Sequence, residues 1–411
     1  MNRFSLRAAA AGTAAALCLS LSGCTRQPED PAAHLLGLTA QQRMEDYEYF
    51  WTTLQDSYPC WGILARSGVE PDALYEDYRQ MVAASDSDAD FYSAIYSILY
   101  LMGTSGHLWL VEPEAYPDYQ QSASFLRQAG RTRWAEVLDS PETAQKYEAL
   151  LALSQAMGGD SDTALAAPEQ APANVTTMVL PDAGVAYAKI DSFPAEFSGD
   201  QAILEAFYRQ ISGCTDLILD LTDNSGGAEA YWEQLLVAPN ITQTCSNENI
   251  ALVRRSENNA PYLDEVFSAE DFHPISELPQ LPRLNETDRA LATDFVYIGH
   301  TVEPDGAAQP FAGRIWVLVD ESVYSASESF AMFCQQTGFA TLVGRQTGGD
   351  GIGIDPVYLQ LPNSGILVQY TPLFGLNPDG SSNEEVGTTP DLVSPGQEPP
   401  LVTALRAIAA L

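Results

Sequence analysis

Four short segments carry the residue types that could do chemistry. The first is Asp220-Leu221-Thr222-Asp223-Asn224-Ser225-Gly226-Gly227, which follows the apolar run Leu217-Ile218-Leu219. A strand running into Asn-Ser-Gly-Gly delivers backbone N–H groups at a tight turn, where they can hold an anion or a developing oxyanion. The second is Tyr324-Ser325-Ala326-Ser327-Glu328, after the apolar run Ile315–Val319. A serine where a strand passes into a helix is exposed beside the helix N-terminus, which favours an alkoxide. The third is Ser105-Gly106-His107, in which Gly106 lets the chain turn sharply and aim the histidine at a cleft. The fourth is Asn383-Glu384-Glu385-Val386-Gly387-Thr388-Thr389-Pro390-Asp391, two acids ahead of a glycine and a Pro-Asp. Each segment has a plainer reading: a strand-to-helix turn, an N-cap serine, a structural histidine, a charged surface loop.

The elements around them form two patterns. Tyr47, Phe50, Trp51 and Leu54 recur at the spacing of one helix face, and residues 41 to 102 read as helical, with further helices at Pro71–Ala84 and Asp88–Met102. Asp86-Ser87-Asp88-Ala89-Asp90 resembles a calcium loop, but Phe91 stands where the loop's glycine belongs, so a capped turn is expected. A short strand is expected at His107–Val111, and helices over 113 to 158. Gly158–Ala173 reads as a linker. From there short apolar strands alternate with helices at Asp200–Ile211, Glu229–Leu236 and Ser325–Gln336, which implies an α/β core over 176 to 411 behind a helical module at 41–111 and a helical segment and linker at 112–175. Residues 255 to 293 form an acidic insertion, expected to be an irregular lid or binding loop.

Composition removes several classes of function. The chain has 411 residues, 19 basic against 55 acidic, and a net charge of -36. Such a charge repels phosphate backbones, so no nucleic acid is expected as a partner. Only two lysines occur, Lys146 and Lys189, and neither follows a glycine-rich phosphate loop. No HExxH or paired CxxC zinc signature is present, and no metal or cofactor is expected. The candidate histidines are His34, His107, His273 and His300.

In this order the four segments resemble the S41 serine peptidases, the tail-specific and C-terminal-processing group with its tricorn-core and retinoid-binding-protein-like relatives. The resemblance covers 41–111 and 176–400, and includes the Val343-Gly344 to Gly353 stretch. It implies an α/β (α+β) chain with a ClpP/crotonase-like peptidase core, and peptides or proteins as substrates. No PDZ module is evident. In the processing branch the first Ser of S-A-S-E is activated by a lysine about 25 residues on; here that spacing lands on Asp350, and no lysine follows Lys189. The tricorn-like branch uses Ser, His and Glu, which map onto Ser325, His107 and Glu384. The oxyanion hole would come from Gly226 or Gly227 with Ala326. Glu385 and Ser327 are the fallbacks for Glu384 and Ser325. The sequence departs from the family in Ser105, where Asp is frequent, and in Thr222, where Arg is usual. Relatives that keep the fold without peptidase activity make an inactive protein that binds peptides or hydrophobic ligands the alternative.

The N-terminus reads as an address. Arg3 and Arg7 precede an uncharged run, Ala8–Ser22, which ends at Leu21-Ser22-Gly23-Cys24. That ending resembles a bacterial lipobox. Residues 1–23 are then a lipoprotein signal peptide, Cys24 is the lipidation site, 24–40 is a tether, and the protein is an exported cell-envelope protein anchored to a membrane by lipid. Cys60, Cys214, Cys245 and Cys334 could pair in such a compartment or remain free thiols.

Overall fold

The structure, a computed structural model, describes residues 35–158 and 173–411. The signal segment, Cys24, most of the tether and nearly all of the Gly158–Ala173 linker lie outside the described residues. Among the described residues no helix is long and apolar enough to cross a membrane.

The N-terminal part is helical: α1 Ala40–Ser57, α2 Trp61–Arg66, α3 Pro71–Ala83 and α4 Asp88–Met102. Thr39 and Gln42 form a capping box at the start of α1. The stripe Tyr47, Phe50, Trp51, Leu54 is fully buried, as its spacing requires. Ser87 caps α4 by accepting from Asp90 N–H at 3.1 Å. The Asp88 carboxylate takes the N–H groups of Leu36 and Gly37, both at 2.9 Å, and sits 3.8 Å from Arg43. The calcium-like acids therefore cap and tie local chain.

A two-residue strand β1, Trp109–Leu110, precedes α5 Tyr116–Gln128, α6 Thr132–Asp139 and α7 Pro141–Ala156. The expected strand at 107 begins two residues later, because Ser105–His107 is a 3₁₀ turn. The helices do not form a separate body. One continuous core runs from Leu38 through Leu153 to Leu376 and includes the hairpin later in the chain. Buried Asp46 of α1 accepts from the N–H groups of Asn363 at 2.8 Å and Ser364 at 2.7 Å, fastening α1 to that hairpin's turn. Hydrogen bonds to a charged acceptor contribute about 1.5–3 kcal/mol each.

The second part contains β2 Val175–Leu180, β3 Val185–Ile190, α8 Ser198–Gln210, β4 Asp216–Asp220 and α9 Glu229–Trp232, which continues into a wider turn over Glu233–Val237. Next come β5 Cys245–Ser246, β6 Asn249–Val253, α10 Ala260–Val266, β7 His273–Pro274, α11 Glu286–Leu291, β8 Asp294–Ile298, β9 Thr301–Val302 and β10 Arg314–Val319. The chain ends with α12 Ala326–Thr337, β11 Thr341–Gly344, β12 Val357–Gln360, β13 Leu367–Tyr370, β14 Leu373–Leu376, α13 Asn383–Val386, β15 Leu392–Val393 and α14 Pro400–Ala409. The main sheet has the order β15-β11-β10-β4-β3-β2, parallel except for the β2 edge. Every residue of β4 is buried, as expected of a parallel strand covered on both faces. A second, antiparallel sheet has the order β14-β6-β8-β7. This is the α/β core foreseen from the alternating pattern. β14 escapes that pattern because Leu373-Phe374-Gly375-Leu376 lacks a strand's alternation; a Cβ on Gly375 would lie 2.5 Å from Ile352.

The acidic insertion is ordered rather than irregular. It holds α10, β7 and α11, and it is pinned from inside: Asn259 Nδ2 donates to Ser57 O at 2.9 Å, and Tyr370 donates to Asn259 Oδ1 at 2.8 Å. The four cysteines Cys60, Cys214, Cys245 and Cys334 are free thiols.

Candidate active site

Backbone strain marks one place. Among the described residues, the non-glycine residues with positive φ are His107 (55°), Asp223 (67°), Ser325 (57°) and Asp350 (55°). Such conformations cost about 1–3 kcal/mol each and persist where the surroundings enforce them, commonly at functional sites. Three of the four line a single cavity of about 470 Å³, together with Gly227, Ala326 and His300. A larger cavity of about 1240 Å³ lies between α8 and residues 305–314, but no candidate catalytic residue lines it.

Ser325 sits between the end of β10 and the start of α12, with φ 57° and ψ -126°. The turn is imposed by its neighbours. Ser325 N–H donates to Gly349 O at 3.0 Å, and Gly348 N–H donates to Val323 O at 2.7 Å. Ser325 occupies the N-cap position, yet its hydroxyl makes no capping bond. That leaves Oγ free at the cavity, unlike the plain capping serine. Ser327, the fallback nucleophile, is fully buried and donates to Asn224 Oδ1 at 2.6 Å.

His107 is held by the turn before β1. Gly106, with φ 59°, packs where a Cβ would meet Thr371 at 2.7 Å and the Cys60 sulfur at 2.9 Å, so the position requires glycine. Thr371 N–H donates to Gly106 O at 2.7 Å, and Tyr58 donates to Ser105 O at 2.7 Å. The imidazole lies near two rings, Trp109 at 5.2 Å and Tyr324 at 5.0 Å between centroids. Its Nδ1 is 2.5 Å from Asp350 Oδ2. With Nδ1–H donated there, Nε2 is the free nitrogen. His107 and Ser325 face the same cavity without a hydrogen bond between them, a looseness common before substrate is bound.

The carboxylate on His107 is therefore Asp350, where the family resemblance points to Glu384. Glu384 lies one hydroxyl further out: Tyr324 Oη is 3.0 Å from Glu384 Oε2 and 3.2 Å from Asp350 Oδ2. Asp350 wins by backbone proximity, since Gly349 forms a bridge with Tyr324 and the next residue falls beside His107. Burial first, then the charge of Asp350, pushes the Glu384 carboxyl well above the usual range. Glu385 is turned away, paired with Arg66 at 2.8 Å.

The oxyanion candidates separate in the same way. Gly226 N–H donates to Asn224 Oδ1 at 2.9 Å and is occupied, which removes it from the proposed hole. Gly227 forms a parallel bridge with Phe193 through its neighbours, Phe193 N–H to Gly226 O and Ala228 N–H to Phe193 O. Its own N–H therefore points to the other side, and both Gly227 and Ala326 line the cavity. A Cβ on Gly227 would lie 2.0 Å from Phe193 O, so this edge must be glycine.

His300, which no sequence motif singles out, closes the far side of the cavity. It makes a 2.8 Å contact through Nδ1 with Glu233 and a 2.9 Å contact through Nε2 with Ser329 Oγ. Burial alone would lower its pKa, but the Glu233 hydrogen bond and the Glu229 and Glu233 charges hold it above the usual value. Ser329 is buried one turn inside α12, out of a substrate's reach, so this second serine–histidine pair braces the helix. Lys189 is likewise structural, anchored on Thr222 Oγ1 at 2.9 Å. Among the described residues no group of three or more His, Cys, Asp or Glu side chains could hold a metal ion.

Solved structures resemble the chain over most of its length. A proposed peptidase from Parabacteroides merdae aligns with a TM-score of 0.55 at 16% identity, covering 89% of this chain and 96% of that one. Mature CPAF complexed with lactacystin aligns with a TM-score of 0.52 at 12% identity, covering 86% and 94%. At these identities the likeness shows the shared fold alone. No curated protein matches the sequence. The pattern of Peptidase family S41 matches residues 184–394, which hold every strand of the main sheet except β2, together with Ser325, Asp350 and both glycines of the turn. The chain belongs to peptidase family S41.

Proposed function

We propose that this protein is an active serine peptidase in which Ser325 is the nucleophile, His107 the general base and Asp350 the carboxylate that orients it. The observation that carries this reading is the shared cavity: a strained serine with an unused hydroxyl, and a histidine whose other nitrogen is held by a carboxylate. Ser325 Oγ attacks the peptide carbonyl carbon and its proton passes to His107 Nε2. The oxyanion is received by the N–H groups of Gly227 and Ala326 at the start of α12. His107 then protonates the leaving amine as the C–N bond breaks. Water, deprotonated by the same imidazole, releases the acyl group from Ser325.

A fluorophosphonate probe is expected to label Ser325, and His107→Ala should abolish labelling while leaving the folded protein intact by circular dichroism. Labelling that survives loss of His107 removes that histidine as the base, and none in the folded wild type at any pH from 6 to 9 removes the peptidase reading in favour of a binding protein.

We also propose that the protein acts at the cell envelope, tethered by lipid on Cys24; support comes from Leu21-Ser22-Gly23-Cys24 after its basic start and apolar run. Radiolabelled palmitate should enter the expressed wild type and not Cys24→Ala, which should move to the soluble fraction. Equal labelling of the two would refute the anchor.

A further inference from the structure

We propose that Glu384 serves this reaction as a neutral carboxylic acid that donates to Tyr324, so that Tyr324 can donate in turn to Asp350; both are positioning residues behind the Asp350–His107 pair. The inference rests on the peptidase reading above and deepens it.

The argument is a count of protons. Tyr324 Oη lies within hydrogen-bond distance of two carboxyl groups, Asp350 Oδ2 at 3.2 Å and Glu384 Oε2 at 3.0 Å. A phenol has one proton to donate. If both acids were ionised, one of these contacts would set lone pair against lone pair in a buried site, and two negative charges would bracket one hydroxyl. A proton on Glu384 resolves both contacts. Glu384 O–H donates to Tyr324 Oη, Tyr324 O–H donates to Asp350, and Asp350 also receives His107 Nδ1–H. Each hydrogen then lies between one donor and one acceptor. Gly106 N–H and the Ser105 hydroxyl beside the Glu384 carboxyl favour its charged form, and burial with the Asp350 charge outweighs them.

The alternative, a proton on Asp350, would leave His107 without a negative partner 2.5 Å away. The surroundings favour the proton on Glu384. Cys60 and Tyr58, which pack against this wall from the α1–α2 side, are buried and neutral, each thiol or phenol held well above its ordinary value chiefly by burial. Arg66, the cation of the wall, is occupied by Asp288 and Glu385, both at 2.8 Å. Glu328, across Asn383, is itself buried, with one oxygen accepting from Asn383 and Thr388. No free positive charge remains among these groups to offset an ionised Glu384.

The consequence is directional. Tyr324 follows β10 and precedes the nucleophile, so the chain Glu384–Tyr324–Asp350–His107 ties the imidazole's orientation to the strained turn that presents Ser325. The carboxylate that a motif alignment selects is placed at the back of this chain.

The test uses isosteric variants of the whole protein. Glu384→Gln can still donate to Tyr324 through its amide. It is expected to keep kcat/KM within about threefold and to leave the acid limb of the pH–rate profile in place, because no charge is removed. An ionised Glu384 would make the same substitution delete a negative charge behind His107, and the acid limb would then fall by about half a pH unit or more. Tyr324→Phe should lower kcat by about tenfold, with KM little changed, the value of one hydrogen bond to a charged group. Its acid limb should move to higher pH, because Asp350 without that donor holds the imidazolium more strongly.

Infrared difference spectra supply a readout independent of turnover. The carbonyl stretch of a protonated carboxylic acid should be present in the wild type at neutral pH, and Glu384→Gln should remove a component that Glu328→Gln leaves in place. A falling acid limb, or a wild-type spectrum without a protonated-acid band, overturns the inference. Fully active Asp350→Asn would instead remove Asp350 as the group that orients His107, and a wild type that no fluorophosphonate labels would remove the peptidase reading itself, so these failures are distinguishable from that of the inference.

Discussion

Replacing Asp350 by asparagine is expected to lower kcat by about 10⁴, with KM changed by less than about threefold, a loss of the size that follows when a serine–histidine pair loses its carboxylate. The backbone tolerates this change, since asparagine accepts the left-handed conformation that Asp350 adopts. What changes is the hydrogen-bond code at Nδ1. An amide nitrogen turned towards His107 stabilises the tautomer with its proton on Nε2, which can no longer accept from Ser325. An amide oxygen turned there keeps the tautomer but supplies no negative charge for the imidazolium formed during attack. Steady-state kinetics on any cleaved peptide measures the effect. Turnover within tenfold of the wild type would show that Asp350 is not the orienting group. The partner substitution Glu384→Gln, by contrast, is expected to leave most activity. The pair therefore tests which acid holds the histidine.

The second large effect couples activity to stability through Ser325. Ser325→Gly and Ser325→Ala should both lose about six orders of magnitude in kcat, since neither supplies a nucleophile. They should differ in stability. Ser325 has φ 57° and ψ -126°, a conformation that any Cβ makes costly and glycine adopts freely. Strain of about 1–3 kcal/mol is relieved in the glycine variant, against about 0.5–1 kcal/mol of extra chain entropy in its unfolded state. A net gain of about 1 kcal/mol over Ser325→Ala is expected, read as a higher midpoint in urea with an unchanged slope. Equal midpoints would show that the turn at Ser325 stores no strain.

Fold and site were legible to different depths. The amphipathic stripe of α1 and the apolar runs of β3, β4 and β10 are local patterns of burial, and each element forms where its pattern lies. The Gly226-Gly227 turn was legible too, because close approach to Ser325 and Phe193 leaves room for glycine alone. Ser325 and His107 stood out because a junction serine and a histidine after a glycine have local signatures. Asp350 had none of its own. It lies in a glycine-rich stretch, and only the spacing at which the family's lysine would fall drew attention to it. His300 had no signal at all: its partners, Ser329 and Glu233, lie 29 and 67 residues away in sequence.

The sequence by itself determined the family, the α/β layering and the absence of a downstream lysine, which excludes a serine–lysine pair of the family's spacing and turns attention to a histidine. These depend on residue type and local order, which folding does not rearrange. Which carboxylate meets that histidine was decided only by the tertiary structure. The bridge between Tyr324 and Gly349 brings Asp350 to Nδ1 and leaves Glu384 behind the Tyr324 hydroxyl. In a chain with 55 acidic residues, composition and spacing offer many candidates for that role. A hydrogen bond of 2.5 Å admits one, and long-range packing selects it.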